Sequence, residues 1–124
     1  MNISIQSYQD LDVWKRGMAL AEQVYTLSKG FPREELFGMT SQIRRAAASI
    51  PANVVEGWAR QHTAEFLQFL RIARGSLREL ETHLLLSQRV GLCSDKSIRA
   101  ILDEADILGR QILALQRSLQ RKGK

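Results

Sequence analysis

Apolar side chains recur at steps of three and four residues in four separate stretches of the chain, the period of one helix face. Val13, Gly17, Leu20, Val24 and Leu27 form the first seam, with Trp14, Met18, Ala21, Tyr25 and Ser28 in a row beside it. The second seam is Ile43, Ala47, Ile50, Val54 and Gly57. The third runs Phe66, Leu70, Ala73, Leu77, Leu80, Leu84 and Ser87, and the fourth Ile98, Ile101, Ala105, Leu108, Ile112, Leu115 and Leu119. No stretch alternates in the period of two that marks a strand. Gly30 and Pro32 stop the first helix. Thr63 reads as the N-cap of the third and Gly91 as its stop, while Ser94 reads as the N-cap of the fourth, with Asp95 favourable in its first turn. These signals predict helices over about 11–29, 39–60, 64–90 and 95–121. The terminal QRKGK should fray. Connections are short apart from residues 30–38, so neighbouring helices should be antiparallel. The expectation is one all-α domain over residues 1–124, an antiparallel up-and-down four-helix bundle.

The second helix departs from a simple amphipathic pattern. Its sequence, SQIRRAAASIPANVVEGWAR, has almost no charged back. A second row, Arg45, Ala48, Ala52, Val55 and Ala59, runs nearly opposite the seam. The third helix also carries apolar residues off its seam, at Leu67, Ile72, Leu85 and Leu86. A helix that is apolar on two faces is normally buried on two faces, and a chain this short has no second layer to cover it. The expected cover is another copy of the protein, with Ala48, Ala52, Val55, Ala59, Leu67 and Ile72 at the interface. The alternative is that alanine, a strong helix former, is simply exposed. Pro51 lies inside this helix, removes one backbone donor and frees the carbonyl of Ala47, so it should kink the helix there. Ser49 or Asn53 can satisfy freed groups nearby. Glu56 and Arg60 have the favourable order for an i, i+4 ion pair.

The stretch VYTLSKGFPREELFGMTSQIRRAAASIPANVVEGWAR, followed by EFLQFLRIARGSLRELETHL, closely resembles the four-helix-bundle family encoded in intervening sequences of bacterial 23S ribosomal RNA genes. That family is related to the accessory proteins of diversity-generating retroelements. The resemblance runs from about Tyr8 to about Val90, on QIRRAA, SIPAN, EG and GSLRELE at this spacing, with a looser fourth helix. It implies a bundle commonly assembled as a homopentamer around a basic central channel. In the retroelement branch it also implies binding of nucleic acid and of a reverse transcriptase. The chain is more similar to the intervening-sequence branch.

Composition adds few constraints. The 124 residues are 44% hydrophobic and 25% charged, ordinary for a globular domain. The single cysteine, Cys93, suits a reducing cytoplasm. The opening MNISIQSYQD has no signal-peptide pattern, and no apolar run approaches the ~18–20 residues of a membrane helix. Net charge is +5, and arginine supplies 13 of the 18 basic residues. The excess falls in residues 41–90 and 91–124, each with 7 basic and 4 acidic side chains, against 4 and 5 in residues 1–40.

Arginine favours bidentate contact with phosphate or carboxylate. Arg71, Arg74 and Arg78 share a face of the third helix. Arg44 and Arg45 begin the second and Arg60 ends it. Arg110, Arg117 and Arg121 share a face of the fourth, extended by Lys122 and Lys124. These are the candidate nucleic-acid contacts, with Glu79, Glu81 and Asp106 as competing partners. Little aromatic interleaving, apart from Trp58, argues against base stacking.

No catalytic constellation is visible. His62 and His83 are far apart, a metal site needs more ligands than this chain supplies, and Cys93 has no apparent activating histidine. Asp103 and Asp106 share a face, but Asp106 is set to pair with Arg110. The expectation is a non-enzymatic homo-oligomer, pentameric by resemblance, without metal or cofactor. It would bind RNA or DNA through a basic surface with little sequence specificity. The alternative is a protein–protein scaffold, or an accessory subunit for a reverse transcriptase or another element-encoded partner.

Overall fold

The computed structural model describes residues 6–122. Its helices are α1 (Asp12–Ser28), α2 (Met39–Ala59), α3 (Thr63–Arg89) and α4 (Asp95–Lys122), with 3-10 turns at Tyr8–Asp10 and Arg33–Glu35. No strand occurs among the described residues. Successive helices pack side by side, and α1 also packs on α4, so the four close into a ring. Partners run in opposite order along adjacent helices. A Cβ at Gly17 would lie 3.5 Å from Pro51, while Ser28 meets Arg44. Gly57 lies against Phe69, while Arg45 meets Glu79. Gly109 lies against Leu77, while Gln116 meets Arg74.

The core is the four seams turned inward. Leu20, Val24, Ile43, Ile50, Val54, Leu70, Leu77, Leu80, Leu84, Ile98, Leu108 and Ile112 are fully buried. Burial of an aliphatic side chain contributes about 1.5–3 kcal/mol, and here the helical period repeats that gain every turn. Phe66, Leu115 and Leu119 only border the core. The seam places Ser87 inside as well, and it satisfies its hydroxyl by donating to the His83 carbonyl at 2.7 Å.

The ends show which boundary signals worked. Gly91 has φ +85, and the Leu92 and Gly91 amides donate to the carbonyls of Ser87 and Gln88, the glycine-terminated closure that satisfies orphan carbonyls. Ser94 caps α4, its hydroxyl accepting the Ser97 amide at 3.1 Å. Thr63 is not the cap of α3. Gln61 takes a left-handed φ of 52, which turns the chain early, so His62 is the extended cap residue and makes no side-chain cap bond. Gln120, Arg121 and Lys122 continue α4, since Leu115 and Leu119 hold its last turns against the core. Gly123 and Lys124 lie outside the described residues.

α2 runs unbroken through Pro51, which is buried. Ser49 donates to the Ala46 carbonyl at 2.8 Å and Asn53 to the Ser49 carbonyl at 2.7 Å, so neither reaches the carbonyl of Ala47. Gly57 is needed for a different reason. A Cβ there would lie 2.6 Å from Cβ of Phe69 and 3.3 Å from Cα of Phe66. The backbones of α2 and α3 approach closely at this point because glycine permits it.

Candidate functional site

Each arginine's position decides what it can still bind. Arg44 is spent internally. Its Nε donates to Ser28 Oγ at 2.7 Å, and its guanidinium lies 4.8 Å from the centre of the Tyr25 ring, a cation–π contact. Arg74 is half-buried between α3 and α4, with Nη1 donating to Gln116 at 3.4 Å and Nε buried without a partner. Four others face carboxylates. Arg45 lies 3.5 Å from Glu79, and Arg78 2.8 Å from Glu81. Arg110 lies 3.0 Å from Asp106. Arg60 sits between Glu56 at 3.4 Å and Glu65 at 3.5 Å, over the Phe69 ring at 5.1 Å.

Two of the eight candidates remain exposed and without a carboxylate partner among the described residues. Arg71 on α3 has only a long hydrogen bond to Gln68, 3.5 Å, and Arg117 on α4 is exposed. The Arg74–Gln116 contact brings their helical turns to the same end of the bundle. Arg121 and Lys122, also exposed, extend this end along α4.

The second row of α2 does face outward. Ala48, Ala52 and Ala59 are exposed and Val55 is half-buried. On α3, Leu67 is half-buried, while Ile72 is 42% exposed and Leu85 and Leu86 slightly more. Water contact with these groups brings no hydrogen bond in return, so covering them is favourable.

Residues 9–114 match the 23S rRNA-intervening sequence protein family. The chain belongs to that family. A solved structure from Bacteroides thetaiotaomicron, described as a protein with unknown function from the S23 ribosomal protein family, is 26% identical. The similarity covers 84% of this chain and 97% of that one, with a TM-score of 0.77. No curated protein matches.

In this 23S rRNA-intervening sequence protein, the four-helix fold supplies the surfaces but few reactive groups. No group of three or more metal-ligating side chains gathers among the described residues, and no described helix is long and apolar enough to cross a membrane. Cys93 borders the core, and burial pushes its thiol upward against a smaller opposing hydrogen bond from Ser97. It is therefore a weaker nucleophile than a free thiol. His83 Nε2 faces Glu79 at 3.5 Å, and His62 caps α3 without a side-chain bond.

The sequence reading missed the internal use of Arg44 and Arg74. Spacing alone gave no signal, since Arg71 and Arg78 follow the seam residues Leu70 and Leu77 just as Arg44 and Arg74 follow Ile43 and Ala73, and both are exposed. The reading also missed Arg16, which holds α1 to α4 through Glu104 at 2.8 Å and Gln111 at 3.1 Å. Spacing along one helix carries no sign of such a pair.

Proposed function

We propose that this protein is a non-enzymatic homo-oligomeric helical bundle that contacts nucleic-acid phosphates, RNA or DNA, with little sequence specificity. One observation carries the binding reading. Arg71 and Arg117 stand exposed, without a carboxylate partner among the described residues, at one end of α3 and α4, with Arg121 and Lys122 beyond them. Repetition in an oligomer would multiply this charge, and a +5 chain in several copies attracts a polyanion well before contact. The outward apolar row of α2 supports assembly.

The test is binding of random-sequence duplex DNA and structured RNA as salt is varied. Affinity should fall with a log–log slope near −0.9 per duplex phosphate neutralised. The Arg71→Gln, Arg117→Gln double variant should bind more weakly with a flatter slope, while Arg44→Gln leaves the slope unchanged. An unaltered slope in the double variant removes the site from this end.

A second reading is a protein–protein scaffold, whose partner would be a reverse transcriptase or another element-encoded protein. It is favoured by the neutralisation of Arg45, Arg60, Arg78 and Arg110 within the chain. Absence of binding by the wild type at low salt would select it.

A further inference from the structure

The loop between α1 and α2 displays an aromatic side chain almost wholly to solvent. Phe37 is 93% exposed, against 9% for Phe31 six residues earlier. The segment that presents it is well tied. The Glu35, Leu36 and Gly38 amides donate to the carbonyls of Pro32, Arg33 and Glu35 at 2.9–3.1 Å, and Glu35 Oε1 accepts the Met39 amide at 3.0 Å. A ring held outward by a pre-ordered turn loses little freedom when it is covered.

The same chain carries a place for such a ring. Met18, Ala21 and Tyr25 of α1 and Ala48 and Pro51 of α2 line an open groove of about 450 Å³. Small residues create it, because Ala21, Ala48 and the Gly17–Pro51 approach leave the space between the helices unfilled. Glu22 and Lys29 also line it. Near Phe37 in sequence the loop exposes Arg33 and Glu34, opposite in sign to Glu22 and Lys29 of the groove, while Glu35 is taken up by the Met39 amide of its own chain. Phe37 cannot fill the groove of its own chain. Ala48 and Pro51 lie 9 and 12 residues beyond the start of α2 at Met39, about 14 and 18 Å along the axis at 1.5 Å per residue, farther than a phenyl side chain extends.

We propose that Phe37 of one copy seats in the α1–α2 groove of the next copy. Ring and groove are separate surfaces, so the contact is head-to-tail and each subunit uses both, which generates a ring or a filament rather than a two-fold dimer. Ala48 belongs both to the groove and to the outward row of α2, so the two apolar surfaces are continuous. The inference rests on the oligomeric part of the proposed function and names how copies join.

Light scattering on two variants tests it. Phe37→Ser removes the ring and leaves the groove. Ala48→Glu spoils the groove, on an exposed position of α2, and leaves the ring. Each alone should be monomeric with wild-type helicity by circular dichroism. Mixed in equal amounts, they should form a dimer and nothing larger, because one sound ring meets one sound groove and the remaining pair is broken on both sides. A wild type that is oligomeric while Phe37→Ser keeps the same mass overturns the ring-in-groove contact and leaves the oligomer standing. So does a mixture that stays monomeric. A monomeric wild type at micromolar concentration overturns the oligomeric reading itself. If one variant loses helicity, Phe37→Gln, at the same exposed loop position, replaces Phe37→Ser, and Ala48→Gln replaces Ala48→Glu.

Discussion

The contact between α2 and α3 and the contact between α1 and α4 are built on different principles. Around Gly57, α2 and α3 approach until an added methyl would overlap Phe69. Every nearby position is then fixed by shape. Between α1 and α4 the fit is looser. A groove of about 620 Å³ opens there, lined by Glu22, Gln23, Thr26, Ser97 and Glu104 among others, and polar side chains bridge the helices. The difference shows where this bundle has latitude. A tight glycine contact punishes any enlargement, whereas a polar, open contact tolerates exchange and can even be improved.

The largest effect should come at the tight contact. Gly57→Val places branched carbons where Phe66 and Phe69 already stand, and overpacking of this kind costs about 3 kcal/mol. Thermal melting should show a marked fall. Gly17→Ala is the internal control, since its new Cβ would meet Pro51 at 3.5 Å, an ordinary contact. It should be neutral or gain up to about 1 kcal/mol, the difference between alanine and glycine inside a helix. Equal destabilisation by the two would show that close approach is not what distinguishes Gly57.

A gain should be available on the loose side. Gln23 Oε1 is buried with no partner, reached neither by solvent nor by a protein donor. Gln23→Leu removes the orphaned acceptor and adds apolar contact beside Leu27 and Ile101. The expected stabilisation is about 1 kcal/mol. A lower melting temperature for this variant would mean that the amide is satisfied in solution by water entering the groove.

A smaller gain should come where the chain passes from α2 to α3. His62→Ser supplies an oxygen to the uncapped first turn of α3 and should stabilise by about 0.5–1 kcal/mol. Chemical denaturation at neutral pH measures it. A midpoint unchanged or lowered would indicate that the left-handed Gln61 positions residue 62 wrongly for capping.

The tight and loose contacts were not equally readable in advance. The seams repeat over five to seven positions each, so most of the buried set from Val13 to Ile112 follows from spacing, while Phe31 and Ala46 are buried off the seams. The outward row of α2 was equally visible, because it is defined against the seam of its own helix. Gly57 fell on the predicted seam, but its contact with Phe66 and Phe69 depends on how α3 crosses α2, which no single-helix period states. The pairing of Glu56 with Arg60 and of Asp106 with Arg110 was evident at i, i+4. The further partner Glu65 of Arg60, across the turn, was not. For the arginines, neutralisation by residues on other helices separates Arg45 from Arg71, although both read as outward cations. The groove for Phe37 is a gap between two helices, and a one-dimensional pattern records side chains rather than the spaces between them.

The smallest effect concerns the polar bridge that holds α1 to α4. Arg16 and Glu104 meet at 2.8 Å with about a third of each side chain in solvent (34% and 36%). Such a pair gains little Coulomb energy, loses side-chain entropy and is screened by salt, so exposed pairs contribute about 0.2–1 kcal/mol. The measurement is a double-mutant cycle with Arg16→Gln, Glu104→Gln and the two together, since the cycle removes effects each change has alone. Arg16 also donates to Gln111 at 3.1 Å, and glutamine at position 16 can keep a hydrogen bond there, so the cycle reports the charge pair more than the loss of packing. The coupling should be below about 1 kcal/mol and shrink further as salt rises. A coupling above about 2 kcal/mol that persists at high salt would place the pair in a desolvated setting. The α1–α4 contact would then be held as specifically as the glycine contact across the bundle.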